Sequence, residues 1–364
     1  MIRLVLVKRE DSSPWMNLLS PLVAVALTLA SGAVMFAAMG IDPGKALGVY
    51  FLSPVADTWA LQELAVKATP LVLISVGLSL CYLSNNWNIG AEGQFVMGAI
   101  FGSWVALASH GSVAGTPYAH LIFPAMMLAA MLGGAAFALI PAILKTRFSA
   151  SDILTSLMLV YVAELLLDWL VRGPWRDPKG FNFPQTVMFG PEAQAFRLMA
   201  DGRVNIGSVI AIVVVAMAAL LMARSLKGFE IRLVGEAPRA ARFAGFDDKR
   251  LTWAVFAISG ALAGLAGIIE VSGTMGQLQP SISPGYGFTA IIVAFLGRLN
   301  PVGCLIAGVF LAITFIGGEN AQIALRLPLD VTRVFQGMLL FYVLACDAFL
   351  NWRISLVGGK GAAA

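Results

Sequence analysis

The sequence predicts an all-α polytopic membrane protein of about ten transmembrane helices. It forms a single transmembrane domain over residues 1–364, with two pseudo-equivalent halves and broken or re-entrant segments. Three observations carry this. First, 59% of the residues are hydrophobic and 12% charged, with a mean hydropathy of +0.84; soluble chains carry about twice that charge fraction. Second, apolar runs long enough for a bilayer core recur along the chain, separated by short polar loops. Third, two dense polar, glycine-containing stretches interrupt this pattern at comparable places in the two halves, a layout that hints at an internal repeat of five spans and five.

In chain order, Arg3, Lys8 and Arg9 precede a first span at about 18–38, too long for a signal-peptide core and suited to a retained helix. Charge places this end inside. A second span covers about 66–82. Asn85-Asn-Trp-Asn-Ile-Gly-Ala-Glu-Gly-Gln94 then leads into a third, 89–108. Polar groups this dense cannot face lipid, so they form either an interfacial loop or a broken helix lining a pathway. The fourth span, 121–144, ends at Lys145 and Arg147, an inside signature. Ser149–Asp152 reads as the cap of the fifth, 153–171. On that helix Glu164 and Asp168 share a face; Asp168 has ion-pair spacing to Arg172, which favours the outer interface over a proton relay.

Residues 173–204 form the longest hydrophilic connection and lie outside by alternation. The sixth span, 206–223, returns the chain inside. The seventh, 252–271, carries Gly260, Ala263, Gly264 and Gly267, small residues spaced for close helix packing. Ser272–Gly287 is polar and punctuated by Pro280 and Pro284, and the short apolar run 286–297 after it suggests a half-helix. Spans at 301–315 and 334–349 finish the chain, with Arg353 and Lys360 placing the C-terminus inside. This topology puts 15 of the 24 basic residues on the inner side.

The inner loop 225–250 has its own design. Pro238 suits a first helical turn and Gly245 a helix stop, so residues 238–244 predict about two turns, roughly 10 Å. Arg239 and Arg242 share one face; Ala240, Phe243 and Ala244 give an apolar side. So short a helix needs a packing partner. The residues leave two readings open: a positive-inside lipid anchor, or a docking helix for a partner at the inner face.

Three motifs carry a resemblance to the permease subunits of bacterial ABC importers, on the simple-sugar and nucleoside branch served by basic membrane lipoproteins. They are the run Gly228–Phe246, the Asn88-Ile-Gly-Ala-Glu-Gly-Gln94 segment and Gly285-Tyr-Gly-Phe288. The resemblance covers roughly 61–350. It implies that the inner loop docks on an ATPase, through Glu230, Arg232, Gly235, Glu236 and Pro238 and then Arg239, Arg242, Phe243 and Gly245. It implies a substrate path along Asn85, Asn88, Glu92 and Gln94, and along Gln277, Tyr286 and Phe288. The uncharged members of that path can hydrogen-bond a neutral polar cargo without burying a charge. Relatives carry Asn where this chain has Val160, which bears on cargo.

The implied partners are an ABC ATPase, a second permease (a paralogue), an extracytoplasmic substrate-binding lipoprotein and membrane lipid, with no nucleic acid. The implied location is the bacterial inner membrane, both termini cytoplasmic. No phosphate-cradling G-x-x-x-x-G-K-[ST] occurs, so no nucleotide is expected on this chain, and ATP and magnesium belong to the partner. Cys81, Cys304 and Cys346 lie in apolar runs, and the two histidines flank one loop; neither set suggests a catalytic or metal site. The alternatives are an ion-coupled secondary transporter, which would favour carboxylates deep in spans, or a polytopic enzyme, which would need a catalytic cluster.

Overall fold

The computed structural model describes residues 3–8, 14–111, 116–199, 202–328 and 330–357. Its helices are α1 (Pro14–Ala38), α2 (Pro43–Phe51), α3 (Thr58–Leu83), α4 (Ala91–Ser109), α5 (Ile122–Phe148), α6 (Asp152–Arg172) and α7 (Ile206–Arg224), followed by α8 (Leu226–Glu236), α9 (Pro238–Phe243), α10 (Asp248–Glu270), α11 (Tyr286–Leu296), α12 (Pro301–Leu325) and α13 (Asp330–Asn351). Each of the ten predicted spans falls on one of these helices. Among the described residues, seven helices are long and apolar enough to cross a membrane by length and composition. Helix α11, with 11 residues, extends about 16 Å, half a bilayer core. Helices α2 and α8 were not predicted. Arg9 and Lys360, used to orient the ends, lie outside the described residues.

The chain divides into two compact units. One comprises residues 1–53 and 317–364, where α1 packs on α13. Two six-residue strands, β1 (Arg3–Lys8) and β2 (Trp352–Val357), pair antiparallel and bring the chain ends together. The core here is aromatic: Tyr50 lies 5.7 Å from both Phe36 and Phe335, ring to ring, and its hydroxyl shares a 2.8 Å hydrogen bond with Thr332.

The other unit, residues 54–316, is organised around α10, which packs on α3, α4 and α5. Its predicted small-residue face is what permits this. A Cβ on Gly98 of α4 would lie 2.0 Å from the Gly264 Cα, and one on Gly264 would lie 2.2 Å from the Ala130 carbonyl of α5. The backbones touch, and close approach replaces the hydrophobic drive that lipid removes. Within the most apolar 18-residue stretch of each, 89% of the residues in α3 and 78% in the α10 span are buried, against 28% in α6 and in α7. So α3 and α10 are inner spans, while α6 and α7 present wide faces to lipid or to partners.

Candidate functional site

Two interrupted helices meet inside the larger unit. After α3 ends at Leu83, residues 84–90 run as irregular chain before α4 begins. This segment climbs along α10: Asn86 Oδ1 accepts from Thr252, and Asn88 Nδ2 donates to Ser259 at 3.1 Å. Ser259 is 11 residues into α10, about 16 Å from its N-terminal end, so Asn88 lies near the middle of that helix. Here the exposed backbone is satisfied by protein. Tyr82 donates to the Asn88 carbonyl, Ser156 accepts from the Ile89 N–H, and Asn88 Oδ1 accepts from Gly90 N and Gln94 Nε2. Asn88 and Gln94 also exchange a second bond at 3.0 Å.

At its C-terminal end α10 continues as a π-helical turn, Val271–Met275, and breaks at Gly276 in the left-handed region, φ 72°. Residues 276–285 then descend as coil until Ser283 Oγ accepts the Gly285 and Tyr286 N–H groups and starts α11. The two helix N-termini meet there: the Glu92 carboxylate, on the first turn of α4, accepts the Gly287 N–H at 2.5 Å. A Cβ on Gly287 would lie 2.3 Å from the Glu92 nitrogen, so only glycine allows the crossing. The Glu92 carboxyl group thus faces the N-terminal ends of two helices. From this junction α11 runs inward to Phe295, which stacks on Tyr82 at 5.2 Å.

The long outer connection holds the descending coil in place. Thr186 N donates to the Leu278 carbonyl, Leu278 N to Thr186 Oγ1, Phe189 N to Gly276, and Gln277 Nε2 to Gln185. Its far end is fixed where Arg203 pairs with buried Glu63 through Nε at 2.8 Å and a second, Nη2 contact. At the inner face Lys145 bridges Asn86 Oδ1 at 2.9 Å and Asp152 at 2.5 Å, while Asp152 also accepts the Trp87 N–H. The interruption is therefore pinned at its inner edge by an ion pair.

The inner loop folds as two helices. The predicted one, α9, covers Pro238–Phe243, and Gly245 ends it at φ 85° with Phe246 N bonded to the Ala241 carbonyl. Arg239, Ala240, Phe243 and Ala244 are exposed, Phe243 to 97%, while Ala241 packs inward. Arg242 is turned toward Asp248 at 3.2 Å. The unpredicted α8 is capped by Ser225, which accepts from Gly228 N. It turns Glu230 and Gly235 into the chain: Glu230 is buried and paired with Lys227 at 2.7 Å, and a Cβ on Gly235 would lie 1.9 Å from the Leu83 carbonyl. Arg232 donates to the Met222 carbonyl at the end of α7. Of the nine loop candidates, Pro238, Arg239, Arg242, Phe243 and Gly245 lie outermost with Glu236; Glu230, Arg232 and Gly235 tie α8 down.

The path candidates separate similarly. Asn88, Gln94 and Tyr286 are closed into helix packing, with exposures of 0%, 2% and 0%. Glu92 lies at the junction, Gln277 is half-buried, and Asn85 and Phe288 are exposed. Val160 packs against Gly93, where a Cβ would lie 2.9 Å from the Val160 Cα. Asp168 pairs with Arg172 at 2.7 Å as the spacing predicted. Cys81, Cys304 and Cys346 are free thiols, and among the described residues no group of three or more His, Cys, Asp or Glu could hold a metal ion.

A family model described as branched-chain amino acid transport system / permease component matches residues 60–344. The chain is 34% identical over 368 residues to the glucose ABC transporter permease protein of Haloferax volcanii, an alignment covering 98% of this chain and 94% of that one. It is 27% identical over 348 residues to the guanosine ABC transporter permease protein of Bacillus subtilis, covering 94% and 96%. A nucleoside ABC transporter permease protein of Lactococcus lactis is also 27% identical, over 336 residues and 90% of each chain.

The burial pattern predicts reagent access. Asn88→Cys should stay inert to a membrane-impermeant thiol reagent, whereas Gln277→Cys should react from outside. Mass spectrometry of labelled protein checks both; rapid modification at position 88 would show that the segment opens to water.

Proposed function

The chain belongs to the branched-chain amino acid transport system permease family, and on that basis we propose the cargo, partners and coupling of this permease. It is a multi-pass membrane protein and the permease subunit of an ATP-driven ABC importer, which works with an ATPase and a substrate-binding protein. ATP hydrolysis belongs to the separate ATPase subunit, and the membership sets aside the ion-coupled and enzymatic readings. The finer assignments that follow are our own. The cargo is a nucleoside or a related simple sugar. The second permease is a paralogue, the binding protein is a lipoprotein, and this chain holds no nucleotide, with ATP and magnesium on its partner. The location is the inner membrane with both termini cytoplasmic, a placement supported by the pairing of the end strands and by the positive-inside bias.

The observation that carries the coupling is the exposed Phe243 on α9. An aromatic ring fully in water at a membrane face has no stabilising contact in this chain, and a large apolar side chain of this kind suits an anchor in a partner's groove. With Phe243 seated, Arg239 meets acidic groups at the groove rim. Helix α8 then transmits the motion: its Gly235 backbone touches Leu83, the last residue of α3, where the interrupted segment begins. ATP-driven movement of α9 thereby reaches the mid-membrane junction and switches access between the two sides.

Two outcomes follow for coupling. Phe243→Asp with Arg239→Glu should release the ATPase subunit from purified complex and stop uptake, because like charges facing at an interface cost several kcal/mol. Gly235→Val should leave the ATPase bound yet lower uptake at least tenfold, because it pushes α8 off α3 and breaks only the transmission. A double variant that keeps its ATPase and transports normally contradicts the docking.

For cargo, cells expressing the full complex should accumulate labelled guanosine or glucose above a strain lacking this chain. Transport of a branched-chain amino acid in place of both would contradict the assignment.

A further inference from the structure

Beside the helix junction, a cavity of about 470 Å³ opens between α4, α6 and the descending coil. This is within the range of small-molecule sites. Its floor is Glu92, 4% exposed, and its walls include Tyr161, Glu164, Ser281 and Ser283. Glu164 lies one helical turn inward from Asp168, well inside the span Asp152–Arg172 and exposed. A carboxylate at that depth is costly against lipid, so this face must meet water or another protein. Asp168, paired with Arg172, completes the wall, and among the described residues no Lys or Arg lines the cavity itself.

Resting on the importer reading above, we infer that this cavity is a cargo subsite for an uncharged, polyhydroxylated ring, the sugar part of the cargo. The chemistry is specific on three counts. Glu92 and Glu164 offer carboxyl oxygens that accept from sugar hydroxyls, and the third lining acid, Asp168, is paired with Arg172. Tyr161, three residues before Glu164 on the same helix face, offers an aromatic surface for the apolar face of a pyranose or furanose. Three acidic side chains and, among the described residues, no basic one line the cavity, which disfavours phosphorylated sugars and the free carboxylate of an amino acid, so the subsite selects against the cargo class in the family's description. Because Glu92 also accepts the Gly287 N–H, a hydroxyl that engages Glu92 touches the crossing point of α4 and α11 directly. Cargo binding and the position of the half-helices are thereby linked at one carboxylate.

The test uses the complete complex in proteoliposomes, with the binding protein supplied on the outer side. In a Ser281→Cys variant, guanosine or glucose, whichever the wild type carries, should slow labelling by a membrane-impermeant maleimide about fivefold or more. Ribose 5-phosphate should not. Glu164→Gln and Tyr161→Ala should each cut uptake at saturating cargo about tenfold or more while cargo-independent ATP hydrolysis stays at its wild-type rate, a split that misfolding would not produce. Labelling indifferent to a transported cargo, or wild-type uptake in both variants, overturns the subsite and leaves the importer reading intact. A wild-type complex that carries neither probe overturns the cargo reading, and the subsite falls with it.

Discussion

Lipid offers no hydrogen bond to an exposed peptide group, and this one constraint shapes the centre of the protein. Each of the two interruptions, 84–90 and 276–285, brings a row of backbone N–H and C=O groups to membrane depth. They survive there because side chains of neighbouring helices complete them. Ser156 and Tyr82 serve the first, Ser283 and Glu92 the second, and Thr186 reaches in from the outer connection. An unmade bond of this kind costs about 1–3 kcal/mol, so the segments hold their path only while these partners stay in place. Such satisfied polar chain, packed in protein and able to re-pair, is what a transporter needs where access alternates.

Helix α10 sets the geometry. It can touch α4 and α5 through glycine because its face carries almost no side-chain volume, and that brings Ser259 to Asn88 and the α4 terminus to α11. Bulk at Gly98 or Gly264 would separate the helices by several ångströms and remove the polar contacts together with the packing. Stability and the site therefore depend on the same residues. The ion pair between Lys145 and Asp152 adds a second tie at the inner edge, where Asn86 and Trp87 are held by the same two groups.

Much of this was legible in the sequence. Apolar length located ten of the helices, seven of them long and apolar enough to cross a membrane among the described residues; Pro238 and Gly245 bounded α9; and the spacing of Asp168 and Arg172 gave their ion pair. Helix α8 was not read because its mixture of Lys227, Glu230 and Arg232 looks like a charged loop. The signal was present in Ser225 as a cap and in Ile231 and Val234 on one face. The hold of the outer connection on Leu278 left no trace, because backbone bonds between segments 92 positions apart impose no side-chain pattern. Motif and polarity pointed to Asn88 and Gln94 as path residues, and their bonds to one another, to Gly90 and to Ser259 were not legible in the sequence. A polar residue at membrane depth can serve the chain or the cargo, and composition alone does not separate the two.

The account turns on a chain of contacts that starts outside this protein. Phe243 projects from α9 into space, α9 is joined to α8, α8 rests on the end of α3, and α3 leads into the interrupted segment. If the ATPase drives this permease, the force enters at Phe243. The most direct measurement places a photoreactive benzoylphenylalanine at position 243 in membranes holding the assembled complex and identifies the irradiated adduct by mass spectrometry. The account predicts a cross-link to the ATPase subunit in a groove of its surface. Adducts confined to lipid would contradict it and would make α9 an anchor on the membrane face.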